Sequence, residues 1–340
     1  MPPDSGILAE MNDSRPPLWR WLIVVFFVWV LLAMAAWLPR RSHSDPLTVA
    51  VGLWPGCETL MLARERGMLT TDHVQLIEMS WASATIRAFG SGVVDAAVLS
   101  LDEVMHLRET GRDFRVVMVM DASKGGDALI ARDGMQKLED LKGRRVGVDL
   151  RGAGMYLLTY ALERAGLKST DFELVPMNLP ETEDFFTSKE VDAVVTSEPW
   201  LTRLKAAGAS SVFDSSQAQT PVYRVLVVSS DALRAQKAEV VRVMRAHFAM
   251  MKVLCQGAQG PGMDAVLRRQ ELSKEAFAGS WSRLKPFDLI ENRELIGERK
   301  DGLGKAASQV EEKMRANGLL YQPLSANPWI DGSLLKGVRP

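Results

Sequence analysis

The chain has 340 residues, 47% of them hydrophobic and 24% charged, an ordinary globular composition with apolar material for more than one core. Its 41 Lys and Arg are balanced by 42 Asp and Glu, so no basic face is indicated and nucleic acid is not an expected partner. Two cysteines, Cys57 and Cys255, cannot make a disulfide framework, and no Cys/His grouping has zinc-site spacing, so neither structural metal nor cofactor is expected.

Residues 1–20 are too short to hold a domain. Residues 21–38 form an unbroken run of 18 apolar residues, flanked by Arg20 and by Arg40 and Arg41. That length suits a membrane-spanning helix, and a helix apolar on every face is a poor fit to one buried on a single side. Ala33-Met34-Ala35 resembles a small-x-small cleavage site, so a removed signal peptide is the alternative to a retained anchor, which is the reading taken. Arg15 and Arg20 match Arg40 and Arg41 in number, so the positive-inside rule does not orient the segment. A single N-terminal anchor most often delivers the body outside the cytoplasm, in the periplasm or beyond. Cys57 lies too far past the run for lipid attachment.

After a linker at 42–46, alternating α/β material begins. Strands are expected over 47–53, 74–79 and 96–99, and helices over 58–66 and 84–89, ended by Gly67 and Gly90. A fourth apolar run, 115–120, leads into small polar residues at 121–127 that suit a flexible crossing between lobes, and 128–131 carry the chain across. The pattern then repeats, with strands over 146–148, 173–177 and 193–196 and a helix over 156–165. A strand over 222–229 returns to the first lobe, helices follow near 232–254, 263–271, 274–284 and 303–317, and 318–340 reads as an irregular tail. Lobe 1 is thus expected from 47–127 plus 222–317, and lobe 2 from 128–221.

The repetition is also written in the residues. Val94-Asp95-Ala96-Ala97-Val98-Leu99-Ser100 returns 97 residues later as Val191-Asp192-Ala193-Val194-Val195-Thr196-Ser197, and Val49 to Leu53 return as Val146 to Leu150 at the same offset. One βαβαβ unit therefore occurs twice, at a period too long for a solenoid and suited to a duplicated lobe. Open parallel sheets bind ligands beyond the carboxyl ends of their strands, so the loops after these strands line the expected cleft.

Val51-Gly52-Leu53-Trp54-Pro55-Gly56, Leu62-Ala63-Arg64-Glu65-Arg66-Gly67, Asp95-Ala96-Ala97, Asp140-Leu141-Lys142-Gly143-Arg144-Arg145-Val146-Gly147 and Glu198-Pro199-Trp200 resemble the solute-binding proteins of ABC importers. The branch is that of nitrate, sulfonate, taurine, bicarbonate and thiamine-pyrimidine precursors, and the resemblance covers about residues 47 to 255. It implies a type II periplasmic binding fold whose two lobes close over a small molecule, with permease and ATPase subunits as partners.

The candidate solute contacts are Trp54, Glu58, Trp81, Ser83, Ser100, Asp121, Gly152, Glu198 and Trp200. Trp54 sits at a Pro-Gly turn, where stacking on a ligand and packing between lobes are both open. Ser83 could cap the next helix, and Gly152 permits close backbone approach. Glu198, a carboxylate at a strand end of the second lobe, is expected to face the first. Glu58, Asp102, Asp121, Asp127, Asp149 and Glu198 outnumber Lys124 and Arg151 in these loops. That excess, with three tryptophans, leans toward a cationic or heteroaromatic nitrogen compound rather than an oxyanion. Catalysis is not expected: none of His43, His73, His106 and His247 falls in a cleft loop, and Cys57 lacks a recognisable base. Two alternatives remain open, a tethered sensor acting through a partner and, further off, an enzyme of the thiamine-pyrimidine synthesis type.

Overall fold

The computed structural model describes residues 21–23, 25–30, 45–132, 134–257, 259–297, 302–324 and 328–338. Residues 1–44 and 45–340 are separate compact units. In the first, residues 21–23 and 25–30 are helical and all exposed, from Trp21 to Val30. The remainder of the expected 21–38 span lies outside the described residues, and no described helix is long and apolar enough to cross a membrane.

The second unit contains two sheets. The chain enters β1 (Leu47–Val51), makes a 3-10 turn over Pro55–Cys57, and continues through α1 (Glu58–Glu65), β2 (Val74–Glu78), α2 (Ala82–Gly90), β3 (Ala96–Ser100), α3 (Leu101–Glu109) and β4 (Phe114–Ser123). It crosses into β5 (Asp127–Ala131) and β6 (Arg145–Val148), followed by α4 (Ala153–Ala165), β7 (Glu173–Pro176), α5 (Thr182–Thr187), β8 (Ala193–Ser197), α6 (Trp200–Ala206) and β9 (Ser210–Asp214). It returns through β10 (Val222–Ser229) and ends with α7 (Ser230–Ala235), α8 (Lys237–Cys255), α9 (Met263–Gln270), α10 (Lys274–Ser282), β11 (Leu284–Pro286), α11 (Leu289–Ile296) and α12 (Leu303–Ala316). The strand orders are β11-β4-β10-β3-β1-β2 and β7-β6-β8-β5-β9. Each sheet has a parallel core with antiparallel strands added, giving a two-lobed α/β fold.

The duplicated motif has a structural cause. In the first copy β1 pairs with β3 through Val49 and Ala96, and in the second β6 pairs with β8 through Val146 and Ala193, each residue shifted by the same 97 positions. The aspartate before each third strand closes the start of the first. Asp95 Oδ2 accepts from the Thr48 amide at 3.0 Å, and Asp192 Oδ2 accepts from the Arg145 amide at 3.0 Å. Val-Asp-Ala recurs because apolar residues must fill the sheet while one carboxylate satisfies the backbone donor at its edge.

Two expectations are corrected. Asp121 to Ser123 belong to β4, leaving only Lys124 to Gly126 as the crossing turn, because β10 and β11 both pair with those residues. The helix expected over 232–254 is two helices, α7 and α8, broken at Gln236.

Candidate functional site

A cleft of about 550 Å³, including its open mouth, lies at the carboxyl ends of the parallel strands. Lobe 1 contributes Leu53, Trp54 and Cys57 after β1, Met79 to Ala82 after β2, and Glu103 from α3, while lobe 2 contributes Leu179, Ser197 and Trp200. Its floor includes Arg224, from the middle of β10. A wider mouth lined by Glu183, Arg203, Arg269 and Glu271 shares Leu53, Met79, Ser80 and Trp200 with it.

Trp54 is held in a fitted socket. Its Nε1 donates to both oxygens of Asp121, at 3.0 and 3.2 Å, and the Arg224 guanidinium lies over its ring at 4.3 Å from the centroid. A Cβ on Gly126 would come within 2.8 Å of the Trp54 ring, and a Cβ on Gly56 would overlap the Asp121 carboxylate. These glycines keep the indole and its acceptor in contact by the absence of a side chain. The Gly56→Ala protein is accordingly expected to lose about 1–3 kcal/mol of stability, read as a lower urea midpoint at unchanged slope. A midpoint equal to that of the parent would refute the socket.

Charge beneath the tryptophans is concentrated. Arg224 donates from Nη2 to Asp127 Oδ1 at 2.9 Å, and its Nη1 is buried without a hydrogen-bond partner among the described residues. Asp102, Glu103 and Asp121 lie close enough, with Asp127, to hold Arg224 firmly protonated against the opposing effect of burial. Burial pushes the Asp121 carboxyl up to about 7, against the pull of Arg224 and the Trp54 hydrogen bond. Burial likewise raises Asp102 and Glu103, and at Asp102 the neighbouring charge of Glu103 adds to it. Glu103 also closes the start of α3, its Oε2 accepting from the Ser100 amide at 2.8 Å.

Of the nine expected contacts, Trp54, Trp81 and Trp200 line the cleft, and Asp121 stands one layer behind, holding Trp54. The other five do not line it. Glu58 is fully buried, ion-paired with Arg269 and accepting from Gln270 Nε2 at 2.5 Å, because α9 packs on α1. Glu198 is fully buried as well: it pairs with Arg283 at 2.5 Å and accepts from the Thr202 amide at 3.2 Å, so it ties β8 to the segment after α10. Ser83 is not the cap of α2, since Trp81 occupies that position. Ser100 caps α3, and Gly152 caps α4. Arg224 and Glu103 were missed. Arg224 leaves a trace in the sequence as the one charge inside the apolar strand Val222-Tyr223-Arg224-Val225-Leu226-Val227-Val228, which demands a buried partner.

Cys57 lines the cleft, and burial pushes its thiol up to about 12. His247 is buried with its Nδ1 bonded to Thr59 Oγ1 at 2.9 Å, and burial drives its pKa down to about 3.

The chain is similar in fold to solved proteins and in sequence to curated ones. The alkanesulfonate-binding protein of Xanthomonas axonopodis pv. citri superposes with a TM-score of 0.71 at 15% identity, covering 86% of this chain and 100% of that one. The periplasmic nitrate-binding protein of Synechocystis PCC 6803 gives 0.62 at 10% identity, covering 88% and 87%. At these identities the likeness is one of fold. A Brucella abortus (strain 2308) protein named only as a binding protein is 26% identical over 174 residues, 49% of this chain and 53% of that protein. The chain thus spans about half the length of the curated relatives it matches. The family model described as NMT1/THI5 like matches residues 58–250, from α1 into α8, more than half of the chain; the chain belongs to that family.

Proposed function

We propose that this protein is an extracytoplasmic solute-binding protein, tethered by its apolar segment at 21–38, that captures a small cationic or heteroaromatic nitrogen compound. It hands that solute to the permease and ATPase subunits of an ABC importer. The observation that carries the reading is the cleft wall: three indoles, Trp54, Trp81 and Trp200, brought together from both lobes. Indole faces attract flat π systems and cations, and lobes that close around them exclude water from the contact. The fold neighbours and the curated relatives named as binding proteins support a binding role. Support for the tether is the unbroken apolar run and the exposure of its described helical residues.

The test is a thermal-unfolding screen of the purified chain with 4-aminopyrimidine and benzamidine set against nitrate and methanesulfonate. A ligand at a hundred times its Kd adds about 2.7 kcal/mol, raising the midpoint of a protein of this size by several degrees. The nitrogen compounds are expected to raise the midpoint and the two anions to leave it unchanged. Stabilisation by the anions alone would reverse the ligand assignment.

A further inference from the structure

We infer that the cleft selects an organic cation, a protonated aromatic amine or amidine, and that Glu103 receives its positive end while a proton leaves the site. The inference rests on the cleft being the solute site and goes on to name the charge of the solute and the residue that reads it.

Arg224 stands among Asp102, Glu103, Asp121 and Asp127, and among the described residues its direct ion pair is with Asp127. Glu103 is the carboxylate among them that lines the cleft. Burial keeps protons on part of this set, so an arriving anion meets a guanidinium that is already paired with Asp127, whereas an arriving cation can draw out the charge of a carboxylate by displacing its proton. A charge-assisted hydrogen bond in such a place is about twice as strong as a neutral one.

Beside these acids, the Nη1 of Arg224 is a buried donor without a hydrogen-bond partner among the described residues. It is met by a neutral oxygen or ring nitrogen on the same ligand, without a second negative charge. The charged groups that act on Glu103 are Asp102 on its own helix, Arg224 from β10 and Asp149 from lobe 2. Burial holds protons on the Asp102–Glu103 pair more tightly than in water. An arriving cation stabilises the ionised carboxylate and expels a proton to solvent, so affinity rises with pH, at most tenfold per pH unit for each proton released.

Calorimetric titration of the full chain with benzamidine, benzamide and benzoate compares one shape at charges of plus one, zero and minus one. Benzamidine is expected to bind at least tenfold more tightly than benzamide, with benzoate weakest. Its affinity is expected to rise between pH 6 and 8, and the heat to vary with buffer ionisation enthalpy as one released proton requires. Glu103→Gln retains an acceptor for the Ser100 amide, and it is expected to lose both the preference and the proton release with its unfolding midpoint kept near the parent's. Adding a para-carboxamide to benzamidine, which supplies a neutral acceptor for Arg224, is expected to tighten binding. Benzoate or benzamide binding as tightly as benzamidine overturns the charge assignment, and an unchanged preference in the Gln variant removes Glu103 from it. An unaltered affinity with the carboxamide removes Arg224. Failure of every probe to bind the parent chain refutes the solute-cleft reading itself.

Discussion

Replacing Arg224 with methionine is expected to lower the thermal midpoint by about 10 °C, a larger loss than for any substitution on the cleft rim. Methionine fills much of the same volume, so the cost lies in the charges left behind. Asp127 and Asp121 are both almost fully buried, and Arg224 is the ion-pair partner of the first and the counter-charge that acts on the second. Removing one member of a buried pair costs about 3–5 kcal/mol because the survivor stays desolvated without compensation, and each kcal/mol moves the midpoint of a protein of this size by about 2–4 °C. The indole of Trp54 also loses the cation over its face, worth up to about 2 kcal/mol in a desolvated setting. The cause is checked by combining Arg224→Met with Asp127→Asn, which deletes the stranded charge and is expected to recover about half the loss in a differential scanning measurement. If the double variant is less stable than the single one, the loss comes from packing and the electrostatic account is wrong.

Stability of the parent chain is expected to fall as pH rises from 5 to 8, the reverse of the usual behaviour of paired carboxylates. Burial pushes Glu58 from 4.5 to about 7 against its ion pair with Arg269, and Asp121 from 3.8 to about 7; Asp102 and Glu103 move the same way. Between the unfolded and folded values the native state holds protons that the unfolded chain has released. The stabilisation is therefore complete below the unfolded values and is lost as pH rises through the folded ones. With about 1.4 kcal/mol for each pH unit separating the unfolded and folded values, Glu58, Asp102 and Asp121 each contribute on the order of 3 kcal/mol across the window. His247 acts in the opposite sense below 6.5, since burial keeps it neutral, but it is one group against several. The depressed groups Glu109, Asp113, Asp140 and Asp192 have already released their protons in both states by pH 5. Urea unfolding at pH 5 and pH 8 should differ by several kcal/mol, and Glu58→Gln should reduce the difference. Equal or greater stability at pH 8 would show that these carboxylates are ionised in the native chain.

That Trp54, Trp81 and Trp200 stand at the cleft was legible because they follow strands whose ends are marked by glycine, proline and serine, and parallel strands deliver such loops to one edge. The acidic contacts were read less well, for a physical reason. A carboxylate at a strand end can face the cleft or turn toward a cation elsewhere in the chain, and local pattern does not separate the two. Glu58 turned to Arg269 and Glu198 to Arg283, partners 211 and 85 residues away. Glu103 was passed over because the expected loop after β3 is the first turn of α3, where a glutamate three residues past Ser100 reads as a cap before it reads as a ligand contact.

The sequence by itself determined the duplicated α/β unit, the offset that relates its two copies and the tryptophans in the loops after its strands. All three follow from pattern and spacing along the chain. Only the tertiary structure decided which of six loop acids bear on the cleft, and that β10 sends Arg224 into the acidic floor. Those outcomes depend on charges paired across long stretches of chain, and a buried charge settles where its partner is, whatever its neighbours in sequence.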